Sequence, residues 1–246
     1  MSLSPPFAPL FERVVDFAVK PQNADDIALA RADHFARCGE VFEDDRSFDV
    51  RMQAFLDWLV FDRPLKPFDD PPARLFVATL TDKDERQRFR LLSRTVHGLF
   101  EVVENGAESL AVQNLLTAAE YEVPVEGPLA GLHEGDLFEG RLVPFDGRLH
   151  FSNAFLFHPP EARRRVLREV DRQRREEAEA GVQNVLWTLA RMASRLEHYR
   201  NVPLEVVYDF QNPPPVVRTP PMRFDRASLD ERRRRLVRSM PRDLAD

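Results

Sequence analysis

The spacing of apolar residues changes character along the chain, and each change marks a different kind of element. Leu10, Phe11, Val14, Val15 and Phe17 recur at helical spacing, and Ile27, Leu29, Ala30, Phe35 and Val41 do so less cleanly. A third segment, 47–61, carries Met52, Phe55, Leu56, Leu59 and Val60 on one stripe, with Ser47 placed to cap its start. Pro64, Pro67, Pro71 and Pro72 stop that helix. After a short apolar stretch at 75–80, Thr81 followed by Asp82, Asp84 and Glu85 has the form of an N-cap with acids in the first turn, predicting a fourth helix to about Arg94.

From Val96 the period falls from 3.6 to 2. The run 96–104 ends in Asn105-Gly106, segments 110–115 and 121–125 supply further short strands, and 137–143 and 148–157 flank the tight turn Asp146-Gly147. Five short strands joined by brief turns predict a small antiparallel barrel, closed or half-open, of the SH3-like or OB-like kind. Phe100, Val102, Leu137, Leu142 and Phe151 are expected to point inward, and Gly98 and Gly140 to mark sharp bends.

Pro159-Pro160 then stands where prolines start a helix. One helix is predicted to about Arg200, roughly 60 Å at 1.5 Å per residue. Its first half is almost wholly charged, whereas its second places Val182, Val185, Leu186, Leu189, Ala190, Ala193 and Leu196 on one face, and Gly181 between them is a point where the helix could kink or break. Segment 204–210 is expected to be a last strand, before the linker Asn212-Pro213-Pro214-Pro215 and a short Arg-rich helix opened by the capping box Ser228-Leu229-Asp230-Glu231. The predicted fold class is α+β in four parts: a helical region 1–95, a small β-barrel 96–158, a long amphipathic helix 159–203, and a strand, Pro-rich linker and Arg-rich tail 204–246.

The run Phe55-Leu56-Asp57-Trp58-Leu59-Val60-Phe61-Asp62-Arg63-Pro64-Leu65 resembles a signature of uncharacterised bacterial proteins, some of which end in a zinc-binding SEC-C motif. Phe100-Glu101-Val102, Asn114-Leu115-Leu116-Thr117 and Gly135-Asp136-Leu137 follow in the order those proteins show, so that the resemblance covers about residues 50–158. The C-terminal region has no cysteine, which removes the SEC-C ligands. The resemblance implies an architecture and no activity.

Charge sharpens this picture. Residues 1–153 hold 27 acids and 16 bases, a net −11, while 154–246 hold 14 acids and 19 bases, a net +5. The two parts should attract each other, or the C-terminal part should meet an acidic partner. All but three of the 35 basic residues are Arg, which binds carboxylates and phosphates alike in bidentate fashion. The segment 96–158 carries only Arg141 and Arg148 against ten acids, a net −8 that repels phosphate. Its phenylalanines are therefore expected in the core.

No catalytic motif stands out. His34 and Cys38, four apart with Asp33 nearby, share a helix face, but two ligands make no metal site, and a buried Cys acts as a small hydrophobe. His97, His133, His150, His158 and His198 lack HExxH spacing, and Asp25-Asp26, Glu43-Asp44-Asp45 and Asp69-Asp70 have the character of solvated turn acids. With one cysteine and no run of about 18 apolar residues, the expectation is a cytoplasmic protein that is not an enzyme and holds no cofactor or metal. It is expected to contact a protein partner through Arg163, Arg164, Arg168, Arg172, Arg232, Arg233, Arg234 and Arg235. Nucleic-acid regulation through the same groups is the rival, membrane binding is not expected, and a monomer is preferred to a homodimer.

Overall fold

The computed structural model of the chain describes residues 5–176, 179–199 and 201–217. Helices α1 (Ala8–Ala18), α2 (Ala24–Cys38), α3 (Phe48–Phe61), α4 (Pro72–Thr79) and α5 (Lys83–Leu92) come first. Strands β1 (Val96–Asn105), β2 (Ser109–Asn114), β3 (Glu120–Pro124), β4 (Leu137–Phe145), β5 (Arg148–Phe151) and β6 (Leu156–His158) follow. Helices α6 (Arg163–Glu176), α7 (Glu179–His198) and α8 (Leu204–Val207) complete the described chain.

Local chemistry explains most boundaries. Pro72 opens α4 at a position whose amide hydrogen has no helical partner, so the proline cluster that ends α3 also starts the next helix. Residues 75–79 of the apolar stretch after those prolines lie in α4, and Leu80 follows as its C-cap. Asp82 and not Thr81 caps α5, its carboxylate accepting the Glu85 N–H at 2.7 Å. Ser47 occupies the N-cap of α3 without a capping bond, because its hydroxyl donates to Glu197 Oε2 at 2.5 Å.

The sheet is antiparallel in the order β3-β2-β1-β4-β5, with β6 pairing the other end of β4. It therefore has six strands, since the predicted strand 148–157 breaks at 152–155. The sheet curls into a half-barrel in which β3 approaches β5, yet no ladder among the described residues joins them and the barrel stays open. Phe100, Val102, Leu110, Val112, Val123, Phe138 and Leu142 fill the concave side, with Phe151 packed against them. Leu137 does not join them. It packs with Leu99 on the convex side against α6 and α7, as strand alternation demands once Phe138 and Leu142 face inward.

Three helical groups cover the convex face. Helices α1, α4 and α5 pack over Val143; α6, α7 and α8 pack over Leu99 and Leu137; α2, α3 and α7 share a cluster that includes Phe55, Trp58 and Trp187.

Two predicted elements differ. The single 60 Å helix is two antiparallel helices: Ala193 and Leu196 of α7 lie beside Pro159 and Pro160, just before α6 begins. A straight helix would put Ala193 about 50 Å away. Ala162, Val166 and Val170 of the charged half are buried, so that half packs on the core despite its charge. Segment 204–210 begins with α8 and contains no strand, because Leu204, Val207 and Tyr208 pack as neighbours on one helical face while Val206 is exposed.

Candidate functional site

The pairing of β1 with β4 places His97 opposite Arg141 and Leu99 opposite Glu139, with Gly98 opposite Gly140. Alternation then sends His97, Glu139 and Arg141 to the convex face, toward the helices. There they meet His34 and Cys38 of α2, Arg51, Asp57 and Trp58 of α3, and Trp187 of α7 around a cavity of about 40 Å³. Ala154 from the break between β5 and β6, Leu156 and Ala190 complete its apolar wall.

His34 is enclosed by rings, with centroids of Phe35, Phe55, Trp58 and Trp187 5.1 to 5.4 Å from its own. Burial pushes its pKa down to about 3, helped by the Arg51 charge, so the ring is neutral. Cys38 is a free buried thiol whose pKa burial raises to about 11, against the pull of Arg51. Arg51 is buried as well. Its Nη1 donates to the Glu40 carbonyl and Ser194 Oγ, both at 2.8 Å, and its Nη2 to the Cys38 carbonyl at 2.8 Å and the Gly39 carbonyl at 2.5 Å. A cation held among carbonyls at the end of α2 is where the helix dipole favours it.

Asp57 is 3 % exposed and accepts from Gln53 Nε2 at 2.9 Å. Burial raises its pKa, while the Arg141 charge, the nearby Ser152 hydroxyl and the Gln53 hydrogen bond oppose the rise. His97 Nε2 and Glu139 Oε1 lie 2.9 Å apart. Arg141 spends both terminal nitrogens on Asp62 and adds Thr95 Oγ1 at 2.6 Å. After these bonds, six buried polar atoms of the lining residues have no hydrogen-bond partner among the described residues: His34 Nδ1, Asp57 Oδ2, His97 Nδ1, Glu139 Oε2, Arg141 Nε and Trp187 Nε1. Buried polar atoms are rarely left so. Among the described residues no group of three or more His, Cys, Asp or Glu side chains has the arrangement to hold a metal ion.

The predicted arginines fall on a different surface. Arg163 is half-buried and pairs with Glu101 of β1, which ties α6 to the sheet. Arg164, Arg168 and Arg172 are exposed, and Arg172 pairs with Glu169 at 2.6 Å. Arg165, Arg174 and Arg175 extend the exposed row. Arg232, Arg233, Arg234 and Arg235, with the predicted tail helix, lie outside the described residues.

A family described only as being of unknown function matches residues 33–187, more than half of the chain. The chain belongs to that family, DUF7986. No curated protein and no solved structure matches it.

The DUF7986 span runs wider than the resemblance at about 50–158, and it takes in every polar group of the cavity, from His34 to Trp187, together with α6. Sequence reasoning singled out His34 and Cys38 as a pair on one helix face and the structure places both in the cavity wall. It missed Asp57, Glu139, Arg141 and Trp187 as site residues. The available signal was Asp57, a lone charge inside the apolar run 55–61. Glu139 and Arg141 gave another, as charges on one face of a strand whose neighbours are buried.

Proposed function

We propose that this chain is a non-enzymatic protein-interaction module of the cytoplasm that docks an acidic protein surface on the exposed arginine row of α6. The observation that carries this reading is the row itself. Arg164, Arg168 and Arg175 are exposed along one side of a helix whose other side, at Val166 and Val170, is fixed in the core, and among the described residues none of the three has an ion-pair partner. Positions 164, 168 and 175 span about 17 Å at 1.5 Å per residue. A row of guanidinium groups held in register suits carboxylates on a partner, because each fork binds a carboxylate with two parallel hydrogen bonds.

Glu169 and Asp171 interrupt the positive charge on the same helix, and the segment 96–158 behind it is net −8. That mixture favours a protein surface over a polyphosphate strand. The buried free thiol of Cys38 suits a reducing compartment. Among the described residues no helix is long and apolar enough to cross a membrane.

The test is fluorescence anisotropy with labelled Glu-rich peptide, single-stranded DNA and duplex DNA, each titrated at low and physiological salt. The peptide should bind and should lose binding to the Arg164→Glu/Arg168→Glu/Arg175→Glu variant. Tighter binding of either DNA, falling steeply with salt, would replace this reading by the nucleic-acid one.

A further inference from the structure

The arginine row leaves the cavity between the sheet and α2, α3 and α7 unused. Its chemistry is specific. Among the unpartnered atoms of its lining residues, Asp57 Oδ2 and Glu139 Oε2 are acceptor oxygens, Arg141 Nε and Trp187 Nε1 are N–H donors, and His34 Nδ1 and His97 Nδ1 serve as either according to tautomer. Asp57, Arg141, His34 and Trp187 are each more than nine-tenths buried, so none reaches bulk water by a small movement.

Charge narrows the occupant. A cation would meet the guanidinium groups of Arg51 and Arg141 in the wall, and an anion would meet Glu139 and Asp57. An uncharged molecule with N–H donors and a carbonyl acceptor on adjacent atoms satisfies both kinds of group without leaving a buried charge opposed. The walls narrow it further, since Trp58 and Trp187, nearly perpendicular at 82° with centroids 5.8 Å apart, present flat apolar surface beside the polar groups. The half-buried Val50, Ala54, His97, Glu139 and Leu156 form the least covered part of the lining, and the whole space bounded by the lining, open solvent included, is about 550 Å³. A polar head with a larger apolar body therefore fits, whereas the inner 40 Å³ alone accepts only a few heavy atoms or two or three waters.

We propose that this cavity binds an uncharged carboxamide-type ligand, the amide head meeting Asp57, Glu139, Arg141 and Trp187 and the body lying at the mouth beside Ala54 and Leu156. The site is independent of the arginine row on α6, so either reading can fail alone.

Both tryptophans of the chain, Trp58 and Trp187, stand in the cavity wall, so intrinsic fluorescence and the two indole N–H resonances report directly on it. The full chain should be titrated with benzamide, and with benzoate and benzamidine as negative and positive counterparts of the same shape. Benzamide should give a saturable change that shifts the Trp187 indole N–H, with the charged counterparts at least tenfold weaker. Trp187→Phe keeps a ring and removes one donor, and should weaken benzamide by about three- to tenfold. Should that variant prove less stable, Ala54→Leu, which narrows the half-buried mouth, decides instead by abolishing binding while cooperative unfolding persists. No saturable response to benzamide would mean that waters satisfy the six groups and would end the proposal. Equal or tighter binding of a charged counterpart would overturn it, as would benzamide binding that both variants leave unchanged.

Discussion

A Cβ placed on Gly98 would lie 2.4 Å from Nδ2 of Asn114, so the β1–β2 pairing is closed by an amide packed on bare backbone. Asn114 is 1 % exposed, and its Oδ1 accepts the Leu116 N–H at 3.0 Å, which shapes the turn into β3. The glycine that the sequence suggests as a bend is required by this close approach. Gly98→Ala should cost about 2–4 kcal/mol by displacing a buried, hydrogen-bonded amide. Urea denaturation measures it, and Gly98→Ala/Asn114→Ala should recover part of the loss, because removal of the amide makes room for the methyl group.

The guanidinium of Arg51 joins three elements, binding carbonyls at the end of α2 from its place in α3 and the Ser194 hydroxyl of α7. Arg51→Met would leave several of those carbonyls unpaired in the interior and should cost about 3–5 kcal/mol. Ser194→Ala removes the bond from Arg51 and a longer one to the Glu40 carbonyl, and should cost about 1–2 kcal/mol. A midpoint shift for Arg51→Met no larger than that for Ser194→Ala would show that the carbonyls find water instead.

Much of this fold is legible in the sequence because it depends on local periodicity. The stripe Met52, Phe55, Leu56, Leu59 in α3 and the alternation of β1 are properties of a few consecutive residues. The misreadings arise where a long-range contact decides. Ser47 has the composition of a cap, yet its hydroxyl is drawn to Glu197, 150 positions away. Leu137 and Leu142 differ by five positions, an odd number, so alternation puts only one of them inside an unbroken strand, and the pairing with β1 selects Leu142. The cavity was least legible, since its polar groups come from α2, α3, β1, β4 and α7 and meet only in three dimensions.

Stability should depend on pH through the buried histidines. Burial lowers the pKa of His34 to about 3 and that of His158 to about 4, against an unfolded value of about 6.5. Below 6.5 the unfolded chain therefore binds protons that the folded chain refuses, so the stability these neutral rings contribute is full above about pH 6.5 and lost as pH falls toward 4. Asp57 acts in the opposite sense, because its raised pKa gives a contribution present in acid and lost as pH rises through the folded value. Between pH 7 and 5 the two histidines together should lower stability by up to about 4 kcal/mol, less whatever Asp57 returns. Urea midpoints at the two pH values measure the fall, and His158→Gln should make it shallower by up to half.

The packing of α6 rests on two valines among its arginines. Val166 and Val170 lie four apart on the side of α6 that faces Leu189 and its neighbours in α7, and Val166 is fully buried. Around them stand arginines, so composition alone describes this helix as charged on every side. Val166→Asp would place a carboxylate in that apolar layer. Although Arg163 is three positions away on the same helix, it already pairs with Glu101. The substitution should therefore cost about 3–5 kcal/mol and uncouple α6 from α7. Arg168→Asp, two positions on and exposed, makes a larger change in charge and should shift stability by no more than about 0.5 kcal/mol. Denaturant midpoints of the two variants decide the matter: a Val166→Asp protein as stable as Arg168→Asp would show that α6 is not packed on α7.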